Sequence, residues 1–154
     1  MAIRVILKDT DPLLRETSKP VKEFTPRIHK LLDDMAETMY EANGVGLAAP
    51  QIAILKRAIV VDIGDGLIEL INPEVIEQDG EQIGPEGCLS VPNVVGSVKR
   101  ANHVKVKGFD RDGNEIVVES TEFKARALLH EIDHLNGVLF TDLALEIYKD
   151  DLNL

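Results

Sequence analysis

Hydrophobic positions recur at two periods along this chain, and the changes of period mark out its elements. From Thr25 the spacing is helical. Ile28, Leu31, Leu32, Met35, Met39 and Tyr40 fall at three- and four-residue steps and form one apolar stripe. Thr25 stands where an N-cap is expected, Pro26 takes the first helical position, and Asn43-Gly44 ends the run. Asp33, Asp34, Glu37 and Glu41 read as its solvated face. His29, near its start, is expected to be exposed. From residue 58 the pattern turns to strand. Residues 58–63 and 67–71 flank Gly64-Asp65-Gly66 as an antiparallel hairpin that Asn72-Pro73 ends, and residues 74–82 suit a further polar-edged strand. A cleaner alternation over residues 103–109 turns at Arg111-Asp112-Gly113-Asn114 and returns over 115–119. His103, at its start, reads as a surface residue. Residues 13–22 have no strong period and read as an irregular surface arm, 84–92 as a compact turn, and 138–154 as an acidic, frayed tail.

The last helical pattern carries the chemistry. It contains His130-Glu131-Ile132-Asp133-His134, an HExxH sequence, and Gly137 is placed to end the helix in a left-handed conformation. Residues four apart lie about 40° apart around a helix axis, so both imidazoles can reach one metal ion. Glu131, at the edge of that face, can touch a water on the ion but is poorly placed as a third ligand. Two ligands and one base are what metal-assisted hydrolysis needs. Phe123 and Ala127 extend the same face as an inward wall. Leu128, Ile132 and Leu135 line the opposite one, leaving Arg126, Asp133 and Asn136 as a narrow edge for water. A helix apolar on nearly all sides is buried and central.

Length and charge narrow the class. At 154 residues with 44% apolar content the chain is expected to form a single domain, 1–154. A net charge of −10 without a Lys/Arg cluster argues against direct nucleic-acid binding. Charge comes too early at the N-terminus for a signal peptide and no apolar run has membrane-spanning length, so a cytoplasmic protein is expected. Cys88 is the sole cysteine, which excludes an intramolecular disulfide and leaves a buried small hydrophobe or a working thiol.

A catalytic metal centre usually has three protein ligands and an open position. A thermolysin-like downstream Glu is poorly provided for, since only twenty residues follow His134. The extended metzincin pattern fails because Phe140 stands where its third histidine belongs. Cys88 is the remaining strong candidate, and a thiolate with two imidazoles suits Zn(II) or Fe(II). The small residues from Gly44 to Gln51 fit either a tight helix-to-strand connector or a surface for the close approach of a peptide backbone.

Three blocks together resemble the peptide deformylase family, in order and at similar spacing over about residues 3–145. They are Gly44-Val45-Gly46-Leu47-Ala48-Ala49-Pro50-Gln51, Glu86-Gly87-Cys88-Leu89-Ser90 and His130-Glu131-Ile132-Asp133-His134-Leu135. The resemblance implies a metallohydrolase that removes the N-formyl group from the N-terminal methionine of nascent polypeptides and releases formate. It implies Cys88, His130 and His134 as ligands of one divalent metal, Fe(II) natively, with Zn(II) or another divalent ion as an alternative. Glu131 would be the general base. The Gln51 side-chain amide and the Leu89 backbone N–H would receive the developing negative charge. Val45, Gly46 and Gly87 would pair with the substrate backbone. N-formylmethionyl peptides are the implied partners, with the ribosome during translation. The chain resembles the shorter bacterial forms, and Phe123, Arg126 and Ala127 lie where family members vary. Arg100 fits either a site-supporting arginine or a strand-edge surface charge. The expected fold is α+β: antiparallel strands packed around a central HExxH helix, with one further N-terminal helix.

Overall fold

The computed structural model describes residues 2–149. In chain order these form helix α1 (Pro26–Glu41), strands β1 (Gly46–Ala48), β2 (Ala58–Val61), β3 (Ile68–Asp79), β4 (Gln82–Cys88), β5 (Val91–Arg100), β6 (His103–Phe109) and β7 (Glu115–Thr121), helices α2 (Glu122–Leu135) and α3 (Phe140–Leu143), and strand β8 (Glu146–Lys149). All strand pairings are antiparallel. One sheet has the order β1-β2-β3-β6-β7 and the other β4-β5-β8, an α+β architecture as expected.

β2 is apolar throughout because it is buried on both faces. Ala58 and Val60 pack with Leu31, Leu32, Met35 and Met39 of α1. Ile59 and Val61 pack with Ala125, Leu128, Ile132 and Leu135 of α2. The other side of α2 faces β4, through hydrogen bonds from Arg126 and His130 to Glu86. Lying between the two sheets, α2 is buried over most of its length, with an apolar side on β2 and the polar side chains Arg126, His130, Glu131 and His134 buried as well.

Both long helices end as their sequences dictate. In α1 the left-handed residue is Asn43 (φ 58°), with Gly44 N–H donating to Met39 O and Asn43 N–H to Tyr40 O. Gly137 (φ 73°) plays that part after α2, where Val138 N–H donates to Asp133 O and Gly137 N–H to His134 O. A side chain at Gly137 would also strike the Arg15 carbonyl. Thr25 sits at the N-cap of α1, yet its side chain makes no capping bond.

Several expectations are corrected. Residues 13–22 run irregularly over the surface as expected, but three of them anchor the segment. Leu14, Ser18 and Val21 are buried, and Ser18 N–H donates to Leu135 O at 2.8 Å, latching this segment to the end of α2. Asn72-Pro73 does not end its strand; β3 runs on to Asp79 across a register shift between Ile71 and Glu74. There Asn72 adopts φ 52° and binds Val21 N–H and C=O with its side-chain amide. The stretch 84–92 is the β4–β5 hairpin rather than a compact turn. The tail forms α3 and β8 up to Lys149, and residues 150–154 lie outside the described residues. His29 is half-buried with Nε2 2.7 Å from Arg111 O. His103 is half-buried too, its ring nitrogens 3.2 Å from Asp79 Oδ2 and 2.6 Å from Glu119 Oε2. No helix among the described residues is long and apolar enough to cross a membrane.

Candidate active site

The candidate ligands arrive on two elements. The β4–β5 register shifts between Glu86 and Cys88, just before the Leu89-Ser90 turn, and Cys88 lies against α2. Its Sγ is 3.3 Å from His134 Nε2. One donor atom from each of Cys88, His130 and His134 falls within 4.8 Å of the others. His130 Nδ1 is 2.8 Å from Glu86 Oε1 and donates to it, leaving Nε2 for the cluster. Burial lowers the pKa of His134 well below the usual imidazole range, with the charges of His130 and Arg100 adding to the effect. The neutral ring is the form that binds metal. For His130, burial also acts downward, but the bonds to Cys88 and Glu86 outweigh it and raise the pKa. One thiol and two imidazoles, with an edge open to a cleft, fit a divalent transition-metal ion.

Behind the cluster lies a buried ion network. Arg100 donates to Glu86 through Nε and Nη2, both at 2.8 Å, and also pairs with Asp133. Arg126 Nη1 donates to Glu86 Oε2 at 2.6 Å and to Val98 O at 2.9 Å. Burial alone would raise the Glu86 carboxyl, but the bonds from Arg100 and His130 overcome it and hold the pKa at about 2. Arg126 and Asp133 are therefore not a water-facing edge: Arg126 is 4% exposed and Asp133 is half-buried against Arg100. Of the two possibilities for Arg100, it is the buried one, tied through Glu86 to His130. Phe123 is 51% exposed at the cleft rim, less enclosed than expected, whereas Ala127 is buried.

Glu131 is buried, and burial pushes its carboxyl up to about 7. Oε1 has no partner, while Oε2 lies over Gly46, where any side chain would collide with it. The Gln51 amide accepts from Ala48 N–H at 2.9 Å and donates from Nε2 to Ser90 Oγ at 3.0 Å, with Nε2 3.6 Å from Cys88 Sγ. A cavity of about 510 Å³ brings Val45, Gly46, Gln51, Gly87 and Leu89 onto common walls with Cys88, His130 and Glu131. It opens between β1 and β4, each the edge strand of its sheet. Glu86 and Arg126 are the site residues that sequence reasoning missed as actors. Glu86 stands in the Cys88 block, but nothing in a single sequence marks it as the point where two arginines and a histidine meet.

The family model described as polypeptide deformylase matches residues 3–149. A peptide deformylase of Acetivibrio thermocellus is 58% identical over 151 residues, covering 98% of this chain and 89% of the relative. One of Carboxydothermus hydrogenoformans is 59% identical over 149 residues, covering 97% and 98%. The crystal structure of the Thermotoga maritima peptide deformylase superposes with a TM-score of 0.92 at 40% identity, covering 95% of this chain and all of that one. Similarity of this extent in sequence and backbone reaches every element that builds the site, and the chain belongs to the polypeptide deformylase family.

Proposed function

We propose that the chain removes the N-formyl group from the N-terminal methionine of nascent polypeptides as a single cytoplasmic catalytic domain, releasing formate. One observation carries this reading: a thiol and two imidazoles converge beside a buried carboxylate, at a cleft bounded by two free strand edges. Cys88, His130 and His134 would hold one divalent ion, Fe(II) natively, with Zn(II) or another divalent ion able to replace it. When bound, the ion supplies Lewis acidity and lowers the pKa of a water.

The remaining roles fall to the chain's own side chains. The substrate backbone would lie as an added strand between β1 and β4, bonding to Val45, Gly46 and Gly87. Glu131 takes a proton from the attacking water as the new C–O bond forms at the formyl carbon. The Gln51 amide and the Leu89 N–H donate to the formyl oxygen as it gains negative charge. Glu131 then returns the proton to the departing nitrogen, the C–N bond breaks, and formate and a free amino terminus leave. The close walls set by Gly46 and Cys88 would admit a formyl hydrogen and reject larger acyl groups.

The test is formate release from a formyl-methionyl peptide by protein purified without oxygen, with metal quantified in the same sample. Formate appearing in step with free amine, internal peptide bonds intact, is expected. A fully metallated sample that releases none would refute the proposal. Equal rates on formyl- and acetyl-peptides would refute the account of acyl selectivity.

A further inference from the structure

We infer that Ser90 is a positioning residue that aims the Gln51 amide, an inference that rests on the role proposed above for Gln51. The carboxamide is held at both ends. Ala48 N–H donates to its oxygen, so the nitrogen must point the other way, and there it meets Ser90 Oγ at 3.0 Å. An amide nitrogen carries two hydrogens. One ends on Ser90, and the other is directed at the ligand cluster, where Nε2 donates to Cys88 Sγ at 3.6 Å. Ser90 is fully buried and Gln51 is 1% exposed, so no bulk water competes for the hydroxyl.

The backbone behind both groups is fixed from a third direction. Leu7 N–H donates to Gln51 O at 2.7 Å, Asp9 N–H to Ser90 O at 2.8 Å, and Lys8 Nζ to Leu89 O at 3.2 Å. The segment Leu7-Lys8-Asp9 thus ties Gln51 to the turn that carries Leu89. Once the backbone is fixed, the freedom left to Gln51 is its terminal torsion, which is intrinsically broad. The bond from Ala48 restrains the oxygen end of the amide, and Ser90 restrains the nitrogen end. A donor assists the reaction only if it is aimed before charge develops, so losing Ser90 should cost preorganisation while keeping the donor itself. Strand pairing with the substrate is untouched, and kcat should fall while KM holds.

The experiment compares wild type, Ser90→Ala, Gln51→Ala and the double variant on a formyl-methionyl peptide, with metal content and melting temperature measured for each. Gln51→Ala is expected to lose roughly 10²–10³-fold in kcat. Ser90→Ala should lose part of that, on the order of 10-fold, with KM unchanged. The double variant should match Gln51→Ala alone, because there is no amide left to aim. Wild-type kcat in Ser90→Ala, a rise confined to KM, or losses that multiply in the double variant would each overturn the inference. If Ser90→Ala sheds metal or melts far below wild type, Ser90→Cys takes its place under the same expectations, since its thiol accepts weakly at similar volume. No formate from metal-loaded wild type would defeat the deformylation reading and this inference together. Normal wild-type turnover with an unaffected Ser90 variant defeats this inference alone.

Discussion

Removing the Glu86 carboxylate is the most informative test of how the site is built. The group accepts two bonds from Arg100, one from Arg126 and one from His130, and all four residues are less than one-tenth exposed. Glu86→Ala would leave two guanidinium groups in the interior, with only Asp133, the Gln82 side-chain oxygen and backbone carbonyls to receive them. Breaking one side of a buried ion network costs about 3–5 kcal/mol, and with two cations stranded the upper part of that range applies. For a domain of this size each kcal/mol moves the melting temperature by about 2–4 °C, so a fall of roughly 10–15 °C is expected. His130 also loses the acceptor that orients its ring, which should weaken metal binding by roughly 10–100-fold. Thermal melting of the apo protein isolates the first effect, and metal titration of the folded variant the second. A melting temperature within about 3 °C of wild type would refute the claim that the network holds β4 against α2. Unchanged metal affinity would refute the coupling through His130.

Other outcomes follow from single contacts. Glu131→Gln should keep its metal and lose roughly 10²–10⁴-fold in kcat, and Cys88→Ala should bind metal poorly in the same titration. Full metal occupancy in the Cys88 variant would sink the ligand assignment. Gly46→Ala places a methyl group against the Glu131 carboxylate and should lower kcat with metal retained; wild-type turnover would show that the carboxylate does not need that space. Asp34 bears on acid stability. Burial raises its pKa, but the bonds from Arg4, Ala2 and Lys30 win and leave it lowered. A carboxylate depressed in the folded state contributes stability above its unfolded pKa of about 4 and loses it as pH falls through the folded value. Asp34→Asn should therefore flatten the acid limb of the stability curve below about pH 4, and an unchanged limb would contradict the assignment.

What was legible in the sequence tracks how local each cause is. α1, the hairpins β2–β3 and β6–β7, and α2 declare themselves through periodicity and turn residues within a dozen positions. Strand β5 did not, because Pro92 and Gly96 punctuate it like a loop, although a proline at the second residue of the strand, ahead of the stretch paired with β8, and a glycine packed under Phe140 are compatible with a strand. The continuity of β3 through Asn72-Pro73 depends on Val21, fifty-one residues earlier, receiving the Asn72 amide. The HExxH face and Cys88 were readable because the chemistry of a metal restricts residue type. Glu86 and Arg126 were not, since a charge is read as solvent-exposed until its partners are known, and those partners lie 14 to 44 residues away.

The latch between residues 12–18 and the far end of α2 bears on how the chain reaches its fold during synthesis. Ser18 bonds to Leu135, Arg15 lies against Gly137 and pairs with Asp142, so this early segment finds its seat only after more than a hundred further residues exist. At ordinary elongation rates that interval is roughly 10 s, during which the latch residues Arg15 and Ser18 have no partner to bind. The N-terminal segment is thus made early and docks late. A pulse of protease during translation should cut within residues 12–18 until α2 is complete, and should lose its grip on that segment once it is.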